Sequence, residues 1–334
     1  MRRREFITMI GGVAAVAFPL TVRAQQADRV QRIGVLMNVT PDDPEGQARL
    51  AAFRQALQQS GWSDGGNMRI DIRWGANDVE LDRKYASELV ALGPDAILAV
   101  GTLSTAAIQR VARTVPIIFV NVSDPVGVGI VDNLSRPGGN TTGFMLFEYS
   151  LSGKWLELLK QVAPSVKRVL VFRNSANPAS IGQFGAIQSL ARSHDLEVTP
   201  ANVREAGEIE RAIVALARLS NGGLIVTPSA SESHQRDLII KLAAQHKLPA
   251  VYAYRSNTIK GGLISYGPDE IDQFKRGAEY IGRVLKGEKP GELPVQAPTK
   301  YQLVINLKAA KALGLTVPSS VIARADEVIE QPKY

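Results

Sequence analysis

The sequence predicts an α/β protein of two similar lobes, and three observations support that prediction. Short apolar strands alternate with segments of helical periodicity along the chain. Several strands, such as Ala96–Val100, are apolar throughout, which is typical of parallel strands that are buried on both faces. The same order of strands then occurs a second time, at an offset of about 130 residues. Two βαβ lobes explain this pattern better than one long sheet does.

The first half of the chain contains four predicted strands with helices between them. Residues 32–38 form the first strand, and Leu50, Phe53 and Leu57 then recur at helical spacing. The elements that follow are an alternating strand at 68–74, a helix at 81–92, a strand at 96–100, a helix at 105–113 and a strand at 116–120.

The second half repeats this order. Strands at 168–174, 196–200, 223–229 and 248–254 correspond to those at 32–38, 68–74, 96–102 and 115–121. Any one of these pairs is weak evidence, because short apolar strands resemble one another. Four pairs in the same order, with helices of matched length between them, indicate an internal repeat.

The composition excludes several classes of protein. The chain has 334 residues, of which 45% are hydrophobic and 21% charged, so it is not intrinsically disordered. It contains no cysteine, which excludes disulfides, thiolate metal sites, a cysteine nucleophile and a lipid-modified N-terminal cysteine. Its three histidines are scattered, and we expect neither a metal nor a cofactor.

The N-terminus is typical of an export signal. Three arginines (residues 2–4) precede an uncharged, mostly apolar run at 9–20, and we expect cleavage after Ala24. The run is too short to span a membrane, so we expect no anchor. The arginine pair before Glu-Phe-Ile resembles a twin-arginine signal, and a Sec signal is the alternative. Either signal predicts a periplasmic protein.

Nucleic acid is not an expected partner. The formal charge of the whole chain is +7, and removing residues 1–24 leaves 35 basic against 31 acidic residues, a net charge of +4 (35 − 31). This charge is weak for a chain of this length, and no dense basic run with interleaved aromatic residues occurs in the sequence.

Candidate ligand-binding residues follow the strands, because ligands of open parallel sheets bind beyond the carboxyl ends of the strands. The candidates are Asn38, Thr40, Gly101, Thr102, Ser104, Asn121, Asp124, Asn174, Asn177, Ser229, Ser231, Tyr254 and Tyr266. Gly101-Thr102-x-Ser104 has the composition of an anion site at a helix N-terminus, although the same residues are also ordinary helix caps. Asp124 could receive an ammonium or a hydroxyl group, or could simply begin a turn before Pro125. The two tyrosines could form an aromatic wall for a flat or apolar ligand.

No catalytic motif is evident in the sequence. It contains no G-x-S-x-G elbow, no phosphate-binding P-loop and no H-E-x-x-H pair. The loops could hold a ligand, but nothing evident would transform it. We therefore predict that the protein is not an enzyme.

The chain resembles the ABC transporter substrate-binding proteins, in particular the tryptophan/tyrosine-binding family. The resemblance covers essentially the whole mature chain. Its more specific motifs are the Gly-Gly-Asn-x-Thr-Gly stretch at 138–143 and the Ile-Asn-x-x-x-Ala tail that begins at Ile305, and further matches occur at 33–35, 99–102, 115–119 and 124–126.

This resemblance implies a type I periplasmic binding protein: two Rossmann-like lobes, three crossover segments and a ligand in the cleft between the lobes. It implies that residues 28–146 and 258–290 form the first lobe, and residues 147–257 and 291–334 the second. The crossings are expected near 144–150, 254–262 and 290–297, with helix 271–285 on the first lobe and a tail helix at 309–313 on the second. In the family, contacts come from loops that correspond here to Thr102, Ser104, Asp124, Asn174, Asn177 and Ser229.

The function that the resemblance implies is delivery of a small organic ligand to a membrane permease by a monomeric protein. An amino acid, possibly aromatic, and an aromatic or other organic acid remain open as ligands. A periplasmic sensor subunit would have the same fold, and genes for a permease and an ATPase beside this one would distinguish the two. An exported enzyme that uses Asp124 is a further alternative, which turnover of a bound compound would support. A sugar-responsive transcription regulator is excluded, because the sequence has no room for a helix-turn-helix ahead of the first strand.

Overall fold

The computed structural model describes residues 29–231 and 235–330, and they form two α/β lobes, each with its own sheet. The predicted signal at residues 1–24 lies outside the described residues. The first sheet has the strand order β2-β1-β3-β4-β5 and is parallel throughout. Its strands are β1 (Gln31–Met37), β2 (Met68–Trp74), β3 (Ala96–Val100), β4 (Ile117–Val122) and β5 (Thr141–Met145).

The second sheet has the order β12-β11-β10-β9-β8-β6-β7. Its strands are β6 (Arg168–Arg173), β7 (Glu197–Asn202), β8 (Gly222–Val226), β9 (Ala250–Tyr252), β10 (Ile264–Pro268), β11 (Tyr301–Asn306) and β12 (Glu327–Ile329). Its first five strands are ordered as in the first sheet, which agrees with the internal repeat that the sequence predicts. The second sheet then adds β11, which is antiparallel to β10, and the short strand β12.

Helices cover both faces of each sheet, as a buried parallel sheet requires. The first six are α1 (Pro44–Gln59), α2 (Val79–Ala91), α3 (Gly101–Val111), α4 (Ser152–Val162), α5 (Pro178–Ala191) and α6 (Ala206–Ala217). The helices that follow are α7 (Pro228–Ser231), α8 (Arg236–Gln245), α9 (Arg255–Ile259), α10 (Glu270–Leu285), α11 (Leu307–Ala312) and α12 (Ser319–Ile322). Among the described residues, no helix is both long and apolar enough to cross a bilayer.

The chain passes between the lobes three times, but the second crossing lies later than predicted. The first crossing lies between Met145 and Ser152, close to the expected 144–150. The segment 254–262 is not a crossing, because α9 connects β9 and β10 within the second sheet. The second crossing is instead at Asp269, from which α10 returns to pack against β4, β3 and β5 of the first lobe.

Two lobe boundaries therefore differ from the prediction. Strand β10 belongs to the second sheet, so residues 264–268 are not part of the first lobe. Conversely, Gln296 forms a bridge with Phe144, and Leu293 is buried in the core of the first lobe, so the third crossing is complete only after this segment. Hydrophobic continuity alone does not show which sheet edge a segment joins.

In the fifth strand of each lobe, one glycine has its Cβ position directed into the backbone of the neighbouring segment. A Cβ on Gly143 of β5 would lie 2.0 Å from the carbonyl oxygen of Phe119, and one on Gly267 of β10 would lie 1.9 Å from that of Ala253. Only glycine permits these approaches without a shift of the backbone. The two lobes thus share a steric feature as well as a strand order.

Candidate functional site

The carboxyl ends of the two sets of parallel strands face each other across a cleft, and a narrow cavity lies there. Residues of both lobes line it: Asn77, Gly101, Thr102, Asn121, Ser123, Leu146, Asn177, Ala179, Ser180, Gln183, Pro228 and Ser229. Two larger grooves lie within the second lobe and include no residue of the first. We take the smaller cavity as the site, because it lies where parallel sheets bind ligands and where the lobes meet.

The first lobe contributes the start of α3 and the end of β4. Gly101 has φ +82°, and the N-cap residue Val100 provides no side-chain hydrogen bond. The N–H groups of the first turn of α3 therefore have no side-chain cap. Asn121 (φ +58°) and Ser123 end β4 beside a register shift in its pairing with β5.

Polar contacts hold Asn121, near the end of β4, in position. The Asn121 Nδ2 donates to Glu270 Oε1 at 2.7 Å, and the Asn121 backbone N–H donates to Gln273 Oε1 at 3.2 Å. Arg49 contacts the same Glu270 oxygen at 2.5 Å and is 3% exposed. These contacts come from α10 and α1, so the position of Asn121 depends on the helix that enters the first lobe from the second crossing.

The second lobe contributes the start of α5 and a cluster of hydroxyl groups. Asn177 is the N-cap of α5, and its side chain accepts from Ala179 N at 3.1 Å. The Ser229 hydroxyl lies 2.9 Å from that of Ser180 and 3.2 Å from that of Thr227. It also accepts from the Asn174 backbone N–H at 3.2 Å. This half of the site is therefore a connected network of hydroxyl groups.

Three polar atoms of cavity-lining side chains are buried and have no hydrogen-bond partner. They are Asn77 Nδ2, Asn121 Oδ1 and Gln183 Nε2. Buried polar groups are normally hydrogen-bonded, and an unpartnered group is costly. Two donors and one acceptor that line the same cavity indicate a polar ligand with complementary groups.

The electrostatics of the cavity come from helices rather than from side chains. In the described part of the chain, no ionisable side chain lines it. The N-termini of α3 and α5 approach it from opposite lobes, and each helix N-terminus carries about half a positive charge. The cavity therefore favours an anionic group such as a carboxylate.

The structure brings five of the predicted residues together at this cavity. They are Gly101, Thr102, Asn121, Asn177 and Ser229. The predicted loop at 101–104 is not a loop, however, because α3 already begins at Gly101. The side chain of Ser231 lies outside the description.

Ser104 and Asp124 do not line the cavity, and each has another role. Ser104 is fully buried and donates to Asp82 Oδ1 at 3.1 Å. Asp124 accepts from Gly127 N at 2.9 Å, which is the turn that was the alternative interpretation. Burial, and then the Asp124 carboxylate, raise the pKa of the nearby Tyr149 to about 12.

The remaining candidates are also outside the cavity lining. Asn174 accepts from Ala176 N in a local turn, and the Thr40 carbonyl accepts from Asp43 N at the start of α1. Asn38 is buried beside Gly101, and Tyr254 lines a different, charged pocket with Arg49. Tyr266 stacks on Tyr301 with the ring centroids 5.8 Å apart, beside the second crossing.

The sequence analysis missed Asn77, Ser180 and Gln183. A signal for two of them exists, because Asn177, Ser180 and Gln183 are spaced three residues apart and so share one face of α5. For Asn77 no such signal exists. Its φ of +56° places it at the cleft after β2, and no local sequence pattern predicts this conformation.

Comparison with known proteins gives one family and several relatives. Residues 33–329 match the family described as ABC transporter substrate binding protein. A tyrosine-binding protein of Clostridioides difficile (strain R20291) is 29% identical over 263 residues, covering 79% of this chain and 75% of that protein.

Solved structures of similar proteins differ in how well they superpose. An ABC domain from Streptococcus pneumoniae in complex with L-Trp has a TM-score of 0.82 at 26% identity, covering 90% of this chain and 99% of that one. A ligand-free, open substrate-binding protein from Clostridium difficile has a TM-score of 0.65 at 27% identity and the same coverage. At nearly equal identity and coverage, this chain therefore superposes better on the L-Trp complex than on the open, ligand-free structure.

Proposed function

Since the chain belongs to the family of ABC transporter substrate-binding proteins, we propose that it delivers a small carboxylate-containing ligand to the permease of an importer. We place it outside the cytoplasm, as a monomer without a membrane anchor and without catalytic activity. The ligand binds between the two lobes and favours the closed form, because each lobe supplies half of its contacts.

The proposed ligand class is an α-amino acid. The observation that carries this proposal is the set of unpartnered atoms between two opposed helix N-termini. A carboxylate offers two acceptor oxygens to the donors Asn77 Nδ2 and Gln183 Nε2, and an ammonium group offers N–H to Asn121 Oδ1. The relatives described as binding tyrosine and L-Trp support an aromatic side chain.

Isothermal titration calorimetry with matched ligands tests this proposal. L-Trp and L-Tyr are compared with indole-3-propionate, which lacks the ammonium group, and with tryptamine, which lacks the carboxylate. We expect the amino acid to bind, and loss of the carboxylate to weaken binding by roughly a hundredfold, because a charge-assisted contact is lost from a buried site. Equal affinities for L-Trp and tryptamine would contradict the carboxylate site.

A pair of variants on one helix tests the location of the site. Gln183→Met replaces a 3% exposed amide with an apolar side chain of similar shape, and Gln188→Met makes the same change at an exposed position of α5. We expect the first to weaken binding of the amino acid roughly tenfold and the second to leave it unchanged. Equal effects would move the ligand away from α5.

A further inference from the structure

An ion pair joins the lobes at a point away from the cavity. Arg236 Nη2 lies 2.9 Å from Asp43 Oδ2, and the two side chains are 12% and 8% exposed. Asp43 is the N-cap of α1 in the first lobe, and Arg236 is the first residue of α8 in the second. Another ion pair between segments of different lobes, Lys300 with Asp272, lies beside the crossings, whereas Asp43 and Arg236 are far from them in sequence.

Each partner is held in position by its own lobe. The other carboxylate oxygen of Asp43 accepts from Gly46 N at 2.8 Å. Arg236 Nε donates to Asp237 Oδ1 at 3.0 Å, and Asp237 also contacts Lys260 at 3.2 Å. Little side-chain freedom is therefore lost when the lobes meet, which removes much of the usual entropic cost of an ion pair.

The charged state of Arg236 is preserved in this position. Burial acts to lower its pKa, but the carboxylates of Asp43 and Asp237 outweigh burial, and the pKa is raised above its ordinary value. The contact is thus between two charged groups that have been taken out of water. Neither side chain lines the cavity between the lobes.

We propose that Asp43 and Arg236 form an intrinsic closing contact, a positioning pair that holds part of the ligand-free population closed without touching the ligand. The inference rests on the proposed function only in that closure is what determines affinity. Because the pair favours the closed form whatever occupies the cavity, it raises the affinity for every ligand by the same factor.

The ion pair favours the closed form but does not prevent the lobes from opening. On opening, both side chains return to water, and their hydration offsets much of the attraction that is lost. The closed form is therefore favoured by a modest amount, and the open form stays accessible for ligand entry.

The test measures the distance between the lobes in the absence of ligand. Because the chain has no cysteine, Gln58→Cys in α1 and Lys241→Cys in α8 provide two unique, exposed positions for spin labels. Pulsed electron–electron double resonance then gives the distribution of distances across the cleft. Refolding of the purified protein from denaturant removes any copurified ligand before the measurement.

Three variants of the doubly labelled protein distinguish the effect of the ion pair from effects on the surrounding structure. Arg236→Gln removes the cation. Asp43→Asn removes the carboxylate charge but keeps an oxygen that can cap α1, since asparagine is as good an N-cap as aspartate. Arg283→Gln is the control, because Arg283 pairs with Glu288 at 2.6 Å within the first lobe.

We expect a closed, short-distance fraction in the ligand-free parent that falls about three- to tenfold in Arg236→Gln and in Asp43→Asn. The double variant should lose no more than either single variant, and Arg283→Gln should match the parent. A parent without a closed fraction, or a closed fraction that the first two variants leave unchanged, would overturn the inference. Since no ligand is added, failure of the amino-acid proposal would not affect this result.

Discussion

The two lobes share a strand order but build their halves of the cleft differently. In the first lobe, several non-glycine residues with positive φ follow strands at the cleft: Ala76, Asn77, Asn121 and Asp124. In the described part of the second lobe, the non-glycine residues with positive φ are Asp195, Asn221 and Lys247, and each precedes a strand at the opposite end of the sheet. Among the residues that the structure describes, non-glycine backbone strain is thus located at the cleft in the first lobe and not in the second.

Under the proposed function, the difference corresponds to two ways of holding a ligand. The first lobe aims Asn77 and Asn121 by a strained backbone that neighbouring helices brace, and strain of this kind persists only where the surroundings fix it. The second lobe uses relaxed backbone and the hydroxyl network around Ser229. We therefore expect the first lobe to be the more sensitive to backbone substitutions at the cleft.

The largest effect on the free energy of unfolding is expected at a feature that both lobes share, the glycine of the fifth strand. Gly143→Ala and Gly267→Ala each place a methyl group against a strand backbone, and we expect each to lower the free energy of unfolding by about 3–5 kcal/mol. Urea denaturation measures this. Gly185→Ala in α5 is the control, because nothing lies within 4 Å of its added Cβ. It should be neutral or stabilising, and a neutral result at either strand glycine would contradict the close approach.

A smaller effect on the free energy of unfolding is expected where the lobes differ in the residues that their helices bury. The first lobe buries Asp82, Ala86 and Leu89 on α2, and the second buries Ile209, Ile213 and Leu216 on α6. Each residue of the second set follows its counterpart by 127 positions (209 − 82, 213 − 86 and 216 − 89). The first lobe therefore buries a carboxyl group where the second buries isoleucine. Burial raises the pKa of Asp82 to about 7, the Ser104 hydroxyl opposes the shift, and Asp78 adds to it.

This difference predicts a pH dependence of stability. Between pH 4 and 7 the unfolded chain releases the Asp82 proton while the folded chain keeps it, so the free energy of unfolding falls as the pH rises through this range. The total fall is about 2–4 kcal/mol, and it is complete above the folded-state pKa. Urea denaturation of Asp82→Asn should lack this part of the pH dependence, whereas Asp132→Asn, at an exposed position, should retain it. Parallel curves for Asp82→Asn and the parent would contradict the assignment.

The smallest expected effect on the free energy of unfolding comes from the strained backbone at Asn121. Asn121→Ala and Asn121→Gly both remove the contact with Glu270, but only alanine keeps a Cβ at φ +58°. We expect the glycine variant to be about 1 kcal/mol more stable than the alanine variant in urea denaturation. At the corresponding position of the second lobe, Tyr254 has φ −125°, so a glycine substitution would relieve no backbone strain there. An alanine variant as stable as the glycine variant would show that the backbone at Asn121 is not strained.

The sequence was sufficient to predict the layers and the repeat. Periodicity located β2 and β3 to the residue, and the offset of the apolar strands predicted two lobes with the same strand order. It was also sufficient to predict that Gly101, Thr102 and Asn177 reach the cleft, because the carboxyl ends of parallel strands meet at one edge.

The remainder depended on contacts that no local pattern encodes. Ser104 is directed away from the cavity by Asp82, which lies on a different helix. Strand β10 joins the second sheet through its pairing with β9 and β11, and hydropathy at 264–268 would be the same on either lobe. Gln183 is in the middle of a helix, where a search confined to strand ends does not look.

Under the proposed function, the opposed N-termini of α3 and α5 have a consequence for the kinetics of ligand exchange. In an open molecule the two partial charges are separated, so an arriving anion meets only one of them and is held weakly. Capture is then limited by diffusion to one lobe, whereas escape requires the second helix to withdraw first. Residence time is accordingly set by the frequency with which the lobes part, and ligands that differ widely in side chain but share the carboxylate should be captured at similar rates and differ mainly in how slowly they leave.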